Sequence, residues 1–517
     1  MSRYSAILIA VLAVYMIFNF CFGMWVSRRQ QKIDAAEGKG FINNYFIGGR
    51  SMGGLVLAMT LVATFTSASS FVGGPGIAYS KGLVWVYLSM IQVPTAFVIL
   101  GVLGKKFAVI ARKTNAVTVT DFLRVRYQSP AVVIGASIAL VLFFMAQMMS
   151  QFLGGAILFQ SVTGLSYIYG LILFGAVVIV YTSFGGFKAV VTTDTIQGII
   201  MVIGGFIIMI TIIKAGGGVD GIVSKLNVVN PTWSSPDQGG LTPKPFVMSF
   251  WVLVGLGVLG LPQTAVRGMG FKDTKSMHNA MIYGTIVVGF LMLIMHLSGV
   301  FAPAVLDASE IPTKDGVMNT DYVIPQLVLK YMNPVVAGLF IAAPLSAVMS
   351  TVSSLLILAS AAIVKDIYLN YFPGAKKMQA AMEMPKAAGS AETRKLEQRF
   401  EHKLGRMSVF ATLIIGTIVF VFTIKPPSLI VWINLFAFGG LECAFLCPII
   451  FGLYWKRANA TGCIASMICG VGTFIFMTVN GMTVGGTTPV VLSIGVAIVT
   501  FVIGSLAGKS DSKGEIL

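Results

Sequence analysis

Charge is scarce in this sequence. Asp, Glu, Lys and Arg make up 11% of 517 residues, where soluble domains carry about 25%. So little charge cannot solvate the surface of an ordinary globular enzyme, and a chain that is 56% hydrophobic is not a disordered segment. Cysteine is scarce too. The five, at 21, 443, 447, 463 and 469, lie in apolar runs without paired or metal-type spacing. That excludes a disulfide scaffold and reads as small buried side chains. With three histidines, no His/Cys/carboxylate metal cluster, nucleophilic triad or phosphate-cradling glycine loop can be assembled, so neither an enzyme nor a cofactor is expected. What remains is an all-α polytopic membrane protein.

Long apolar runs are what the sequence does contain. Taking about 20 apolar residues per crossing, it predicts 13 transmembrane helices, near 5–26, 52–79, 83–104, 130–161, 165–183, 189–213, 246–266, 277–303, 334–364, 406–424, 429–453, 460–480 and 488–507. The first run has no Ala-x-Ala cleavage site, and Arg28–Arg29 follow it rather than precede it, so it reads as a retained helix. The longest polar insertions (105–129, 214–245, 304–333 and 365–405) are too short for a separate domain, which leaves residues 1–517 as one membrane unit.

The net charge of +17 has an explanation in that layout. Of the 36 basic residues, 28 fall in alternate loops assigned to one side and eight on the other. With the carboxylates included, the first side carries +16 and the second +2, and Glu442 lies within a span. Positive loops stay cytoplasmic, so the N-terminus is expected outside and the C-terminus inside. The excess sets orientation and favours anionic lipid headgroups; nucleic acid is not an expected partner.

Polar groups at membrane depth mark the candidate site. The second span contains Ala63-Thr64-Phe65-Thr66-Ser67-Ala68-Ser69-Ser70, followed by Gly73-Gly74-Pro75-Gly76. Five hydroxyls in seven positions beside helix breakers predict a discontinuous helix. Such a break exposes carbonyls to a cation and helix N-termini to an anion. The span at 246–266 has Gly255-Leu256-Gly257-Val258-Leu259-Gly260-Leu261-Pro262, open to two readings, close glycine packing or a second interruption. Ser346, Ser350, Ser353 and Ser354 share one helical face; they either allow close packing or supply neutral oxygens to an alkali cation. Asp194 is either functional or solvated near the interface, and Glu442 either structurally paired or involved in coupling.

Four separated stretches now resemble the sodium:solute symporter family. They are Gly48-Gly49-Arg50-Ser51-Met52-Gly53; Gly185-Gly186-Phe187-Lys188 with Thr193-Asp194-Thr195-Ile196-Gln197; Ala347-Val348-Met349-Ser350-Thr351 with Lys365-Asp366-Ile367-Tyr368; and Phe438-Gly439-Gly440 continuing to Tyr454-Trp455-Lys456-Arg457-Ala458-Asn459. Within the family, Ala68-Ser69-Ser70-Phe71, Phe250-Trp251-Val252-Leu253-Val254 and Leu261-Pro262 with Thr264-Ala265-Val266-Arg267 resemble the pantothenate-carrying branch. The resemblance implies a five-plus-five inverted-repeat core with the first helix of each repeat discontinuous. Residues 1–51 would form a leading helix and cytoplasmic loop, 52–213 and 246–453 the two repeats, and 460–507 two trailing helices. It also implies a sodium site at the carbonyls of Ala63, Thr66 and Ala347 and the hydroxyls of Ser350 and Thr351. A possible second sodium site comprises Asp194, Ser350, Ser353 and Ser354.

The implied activity is sodium-coupled symport of pantothenate or a similar small anionic solute by alternating access, with Na+ as coupling ion. The sequence departs from the sugar-carrying branch, having Val258-Leu259 where a Tyr-Trp pair is expected. Candidate substrate contacts are Thr64, Ser67, Ser70, Gln147, Gln151, the backbone near Gly255, and Asn434. Proline, another carboxylate or an inorganic anion is the alternative cargo; a channel or non-transporting sensor is the alternative class.

Overall fold

The computed structural model describes residues 3–37, 51–375 and 391–509. The Gly48-Gly49-Arg50 stretch, much of the loops at 27–51 and 365–405, and most of the C-terminal tail lie outside them. Among the described residues, ten helices are long and apolar enough to cross a bilayer, or twelve when each of two bent helix pairs counts as one span. The helices used below are α1 (Arg3–Glu37), α2 (Gly54–Phe65), α3 (Gly74–Lys81), α4 (Val119–Tyr127), α5 (Pro130–Thr163), α6 (Tyr167–Ala215), α7 (Thr274–Phe301), α8 (Pro334–Ala361) and α9 (Ile430–Tyr454).

The hydropathy count of 13 differs at α6. Spans expected at 165–183 and 189–213 run together in one helix of 49 residues, of which Tyr167–Val180 is the shorter apolar stretch. Gly185-Gly186 does not end that helix, because a helical glycine costs only about 1 kcal/mol.

The polar insertions are more ordered than loops. Residues 105–129 fold into Lys105–Thr114 and α4; 214–245 contain the helix Val219–Val229; 304–333 contain a short hairpin pairing Thr313 with Met318, then the helix Val323–Tyr331.

The serine-rich α8 is the most enclosed span, buried over 94% of its apolar window, against 28% for the leading helix. It packs on α1, α2, α5 and α6, while Ile203, Phe206 and Ile210 of α6 face outward. A helix enclosed on all sides by other helices belongs at the centre of a bundle. Close approach elsewhere depends on small residues. A Cβ at Gly299 of α7 would lie 2.1 Å from the Pro75 carbonyl oxygen, so only glycine lets α7 meet α3 at this distance.

Two carboxylates outside the spans hold helix ends in place. Asp121 completes a capping box with Thr118 at the start of α4 and pairs with buried Lys365, while the Thr118 hydroxyl donates to Asp366 at 3.0 Å. Burial opposes the Asp121 charge, yet Lys365 beside it holds the carboxyl below its usual range. Asp321 caps the other end of the bundle by accepting the Ile430 N–H at the start of α9 at 3.0 Å. Burial pushes its carboxyl up to about 7. The folded value is therefore the raised one, and the folded protein binds this proton more tightly than the unfolded chain. Stability should fall as pH rises from about 4 through about 7, by a few kcal/mol. Thermal melts of D321N across that range should be flatter than those of the unaltered protein; identical pH dependence would exclude Asp321 as its source.

Candidate functional site

The first break falls within the hydroxyl cluster. α2 ends at Phe65, Thr66 is extended (φ −77°, ψ 126°), and the chain re-enters helix at Ala68–Ser69, bent by 67°. Gly73-Gly74-Pro75-Gly76 stay helical, Pro75 sitting in the first turn of α3, where its missing N–H costs nothing. The second interrupted span, Lys244–Gly260 with Pro262–Met269, bends by 51° at Leu261 (φ −88°, ψ 108°). Pro262 forces that extended backbone on the residue before it. Both expected interruptions are present.

The Thr66–Ser67 break frees carbonyls that an unbroken helix would consume. In a continuous helix Ala63 O would accept from Ser67 N, and Thr66 O from Ser70 N. Instead Ser67 N approaches Ser70 Oγ at 3.4 Å and Ser70 N donates to Ser67 O at 3.0 Å. The freed oxygens face α8. Ser350 Oγ donates to Ala63 O at 2.8 Å and to Ala347 O at 3.0 Å; Thr351 Oγ1 donates to Thr66 O at 3.2 Å and to Ala347 O at 2.8 Å. All five residues are fully buried. The five oxygens named from the resemblance thus come together, and none is formally charged. Hard neutral oxygens of this kind suit a monovalent cation held weakly enough to leave.

The residues named for a second ion are arranged differently. Ser350 belongs to the cluster just described, and the Ser353 hydroxyl donates to the Ser350 carbonyl at 3.1 Å. Asp194 is fully buried, not solvated; Oδ2 accepts from Thr60 Oγ1 at 2.7 Å and lies 3.8 Å from the Arg267 guanidinium. Ser354 accepts from Arg267 at 2.8 Å. Arg267 therefore leaves the set of cytoplasmic loop charges, where its position after the seventh span had put it. Nothing in its neighbourhood in sequence marks it as buried. Glu442 is also fully buried, against Gly257 at the second break, and its carboxylate has no hydrogen-bond partner among the described residues.

Of the expected substrate contacts, Ser70 and Asn434 line a cavity beyond the first break. Gln151 holds the break itself, accepting the Ala68 N–H at 2.8 Å, and Gln147 accepts from Gln263 of the second interrupted span at 3.2 Å. Thr64 donates to its own helix at 2.7 Å, Ser67 pairs with Ser69, and Gly255 lies on an apolar groove elsewhere. The sequence reading missed Trp85, Ser89, Gln92, Phe250, Phe438 and His296 in the cavity wall. Inside apolar spans, an aromatic or a single hydroxyl looks like ordinary packing. Trp85 meets Phe250 edge-on at 5.4 Å, and its indole N–H has no acceptor among the described residues. The His296 Nδ1 lies 2.7 Å from the Met292 carbonyl, which can only accept. Nδ1 therefore carries the proton, leaving Nε2 as an acceptor beside Gly74. The cavity measures about 40 Å³, room for a water or two. A solute larger than a few atoms enters only after the lining side chains separate.

The family model described as "Sodium:solute symporter family" matches residues 45–387 and 391–470. The chain belongs to the sodium:solute symporter family. It is a membrane transporter, not an enzyme. The chain is 43% identical over 503 residues to the sodium/pantothenate symporter of Haemophilus influenzae, covering 97% of this chain and 96% of that one. To the sodium/pantothenate symporter of Escherichia coli it is 42% identical over 480 residues, covering 92% and 93%. In structure it resembles a solved Na+-coupled sialic acid symporter in a substrate-bound, outward-open state, with a TM-score of 0.73 over 98% of each chain at 18% identity. That likeness establishes the fold of this symporter family member.

Proposed function

We propose that this family member imports pantothenate across the bacterial inner membrane, driven by sodium. The observation that carries this reading is the junction of α2 and α8, where carbonyls freed by the Thr66 break meet the hydroxyls of Ser350 and Thr351. Sodium replaces the hydroxyl protons as the partner of these carbonyls, the two hydroxyls turning their lone pairs to the ion. The relatives at 43% and 42% identity over nearly the full chain support the substrate.

Pantothenate carries a carboxylate, an amide, two hydroxyls and a gem-dimethyl group. The cavity next to the sodium junction offers matching chemistry: donors at Ser70, Trp85 and Asn434, an acceptor at His296 Nε2, and an apolar wall from Phe250 and Phe438. Ion and solute then share the broken helix, so binding one orders the backbone the other needs, and each raises the other's affinity by the same factor. Each sodium moving inward gains about 2.3 kcal/mol per 100 mV. Outward-open binding, closure around both ligands and inward release complete alternating access, in which one repeat rocks against the other.

The core in this proposal comprises 52–213 and 246–453 as inverted repeats, followed by trailing helices at 460–507. The thirteen-crossing reading counts the two apolar stretches of α6, Tyr167–Val180 and Val190–Ala215, separately. The bias of basic loops supports an N-terminus outside and a C-terminus inside. A competition panel tests the substrate. Labelled pantothenate uptake should be suppressed by unlabelled pantothenate and left unchanged by excess proline or sugar; displacement by proline at similar concentration would reassign the cargo.

A further inference from the structure

Asp194 is a fully buried carboxylate at membrane depth, which requires a cation. The structure supplies one from its own chain. Arg267, in the short turn Val266–Met269 after the second break, is also fully buried. Its guanidinium stands between Asp194, 3.8 Å away, and Ser354, to which it donates at 2.8 Å, and it is tied to its own segment through the Gln263 carbonyl at 3.2 Å. Two of the oxygens that could surround a second sodium are thereby taken by a fixed positive charge. A third, Ser353 Oγ, bonds within α8, and Ser350 faces the first junction.

We propose that Arg267 is a tethered cation filling the Asp194–Ser354 pocket, which limits this transporter to one sodium per solute. The inference rests on the sodium reading of the Ala63–Thr351 junction and adds a residue that sets stoichiometry. A guanidinium and a sodium ion compete for the same charge, because two cations within about 4 Å repel strongly in a medium from which water is excluded. With one sodium and a monoanionic solute, each transport cycle carries no net charge. Removing the guanidinium leaves Asp194 with Oδ2 released from it and with Oδ1, which accepts no hydrogen bond among the described residues. Oδ2 still accepts from Thr60 Oγ1, while Oδ1 and Ser354 Oγ become free to bind a second ion.

The test is charge movement and sodium activation in vesicles reconstituted with the full-length protein. For the unaltered protein we expect about zero net charge per pantothenate and a sodium Hill coefficient of about one. In R267Q the charge should rise to about one per pantothenate and the Hill coefficient toward about two, whereas R267K should retain the original values. Net inward positive charge in the unaltered protein would overturn the proposal whether or not R267Q folds. So would an active R267Q with unchanged charge and sodium order. These outcomes leave sodium dependence intact. Sodium-independent uptake by the unaltered protein would instead refute the sodium junction and this inference with it.

Discussion

Replacing Ser350 and Thr351 together by alanine raises the sodium concentration for half-maximal uptake by about 30- to 150-fold, the equivalent of about 2–3 kcal/mol for two lost oxygens facing an ion. Their neighbours make this a large effect. Both hydroxyls are fully buried, so water does not readily replace them, and each bridges a carbonyl freed by the Thr66 break to one on α8. Alanine at both positions leaves the three carbonyls of Ala63, Thr66 and Ala347 around the ion. The loss should appear in sodium dependence more than in maximal rate at saturating sodium. Thr351→Ser keeps the oxygen and should stay within a few fold of the unaltered protein. A double variant with unchanged sodium activation would remove both side chains from the site.

Asp121→Ala is expected to destabilise the protein by about 3–5 kcal/mol, the cost of leaving a buried partner charge uncompensated. Asp121 accepts the Val117 N–H at 2.9 Å, caps α4 and pairs with Lys365, so alanine removes a cap and strands a lysine that is only 8% exposed. Asp366, 3.6 Å from the same ammonium, recovers part of the loss. The lysine pairing lowers the Asp121 carboxyl in the folded protein, so its contribution is present above the ordinary carboxylate range and disappears as pH falls through the folded value. Melting temperatures of unaltered protein and D121A should therefore differ near neutrality and converge in acid. Replacing both partners by apolar residues, as in D121L/K365M, should restore only part of the loss, since the stranded ammonium is gone but buried Asp366 then lacks its cation. A melting temperature for D121A equal to that of the unaltered protein would show that the pair contributes nothing.

The parts of this architecture with a composition signal could be read from the sequence. Apolar runs of membrane length marked the spans, because lipid demands that length whatever the fold. Hydroxyls crowded from Thr64 to Ser70 marked a break, because a helix has little reason to concentrate them at membrane depth. The place of the break was less legible. The strong breakers at Gly73–Gly76 remain helical, while Thr66 takes the extended backbone, held there by distant partners: Thr351 of α8 and Gln151 of α5. Pro262 was easier to interpret, since the constraint a proline imposes on its predecessor is local.

Residues whose role depends on a distant partner were not legible. Gln147 and Gln151 look like solute ligands on a helical face, yet one joins the two interrupted spans and the other caps the first break. Arg267 follows an apolar run and resembles a loop charge; only the fold brings it to Asp194, 73 positions earlier in the sequence. Trp85 is apolar in an apolar span until the fold sets it beside Phe250 and Asn434.

The central claim is that sodium binding at the α2–α8 junction drives pantothenate inward, and one measurement addresses it directly. Proteoliposomes containing the purified protein are loaded without sodium, and labelled pantothenate uptake is followed after a sodium gradient is imposed from outside. Uptake should rise above equilibrium, then collapse to it when a sodium ionophore dissipates the gradient. Accumulation that persists undiminished without the gradient would contradict the account.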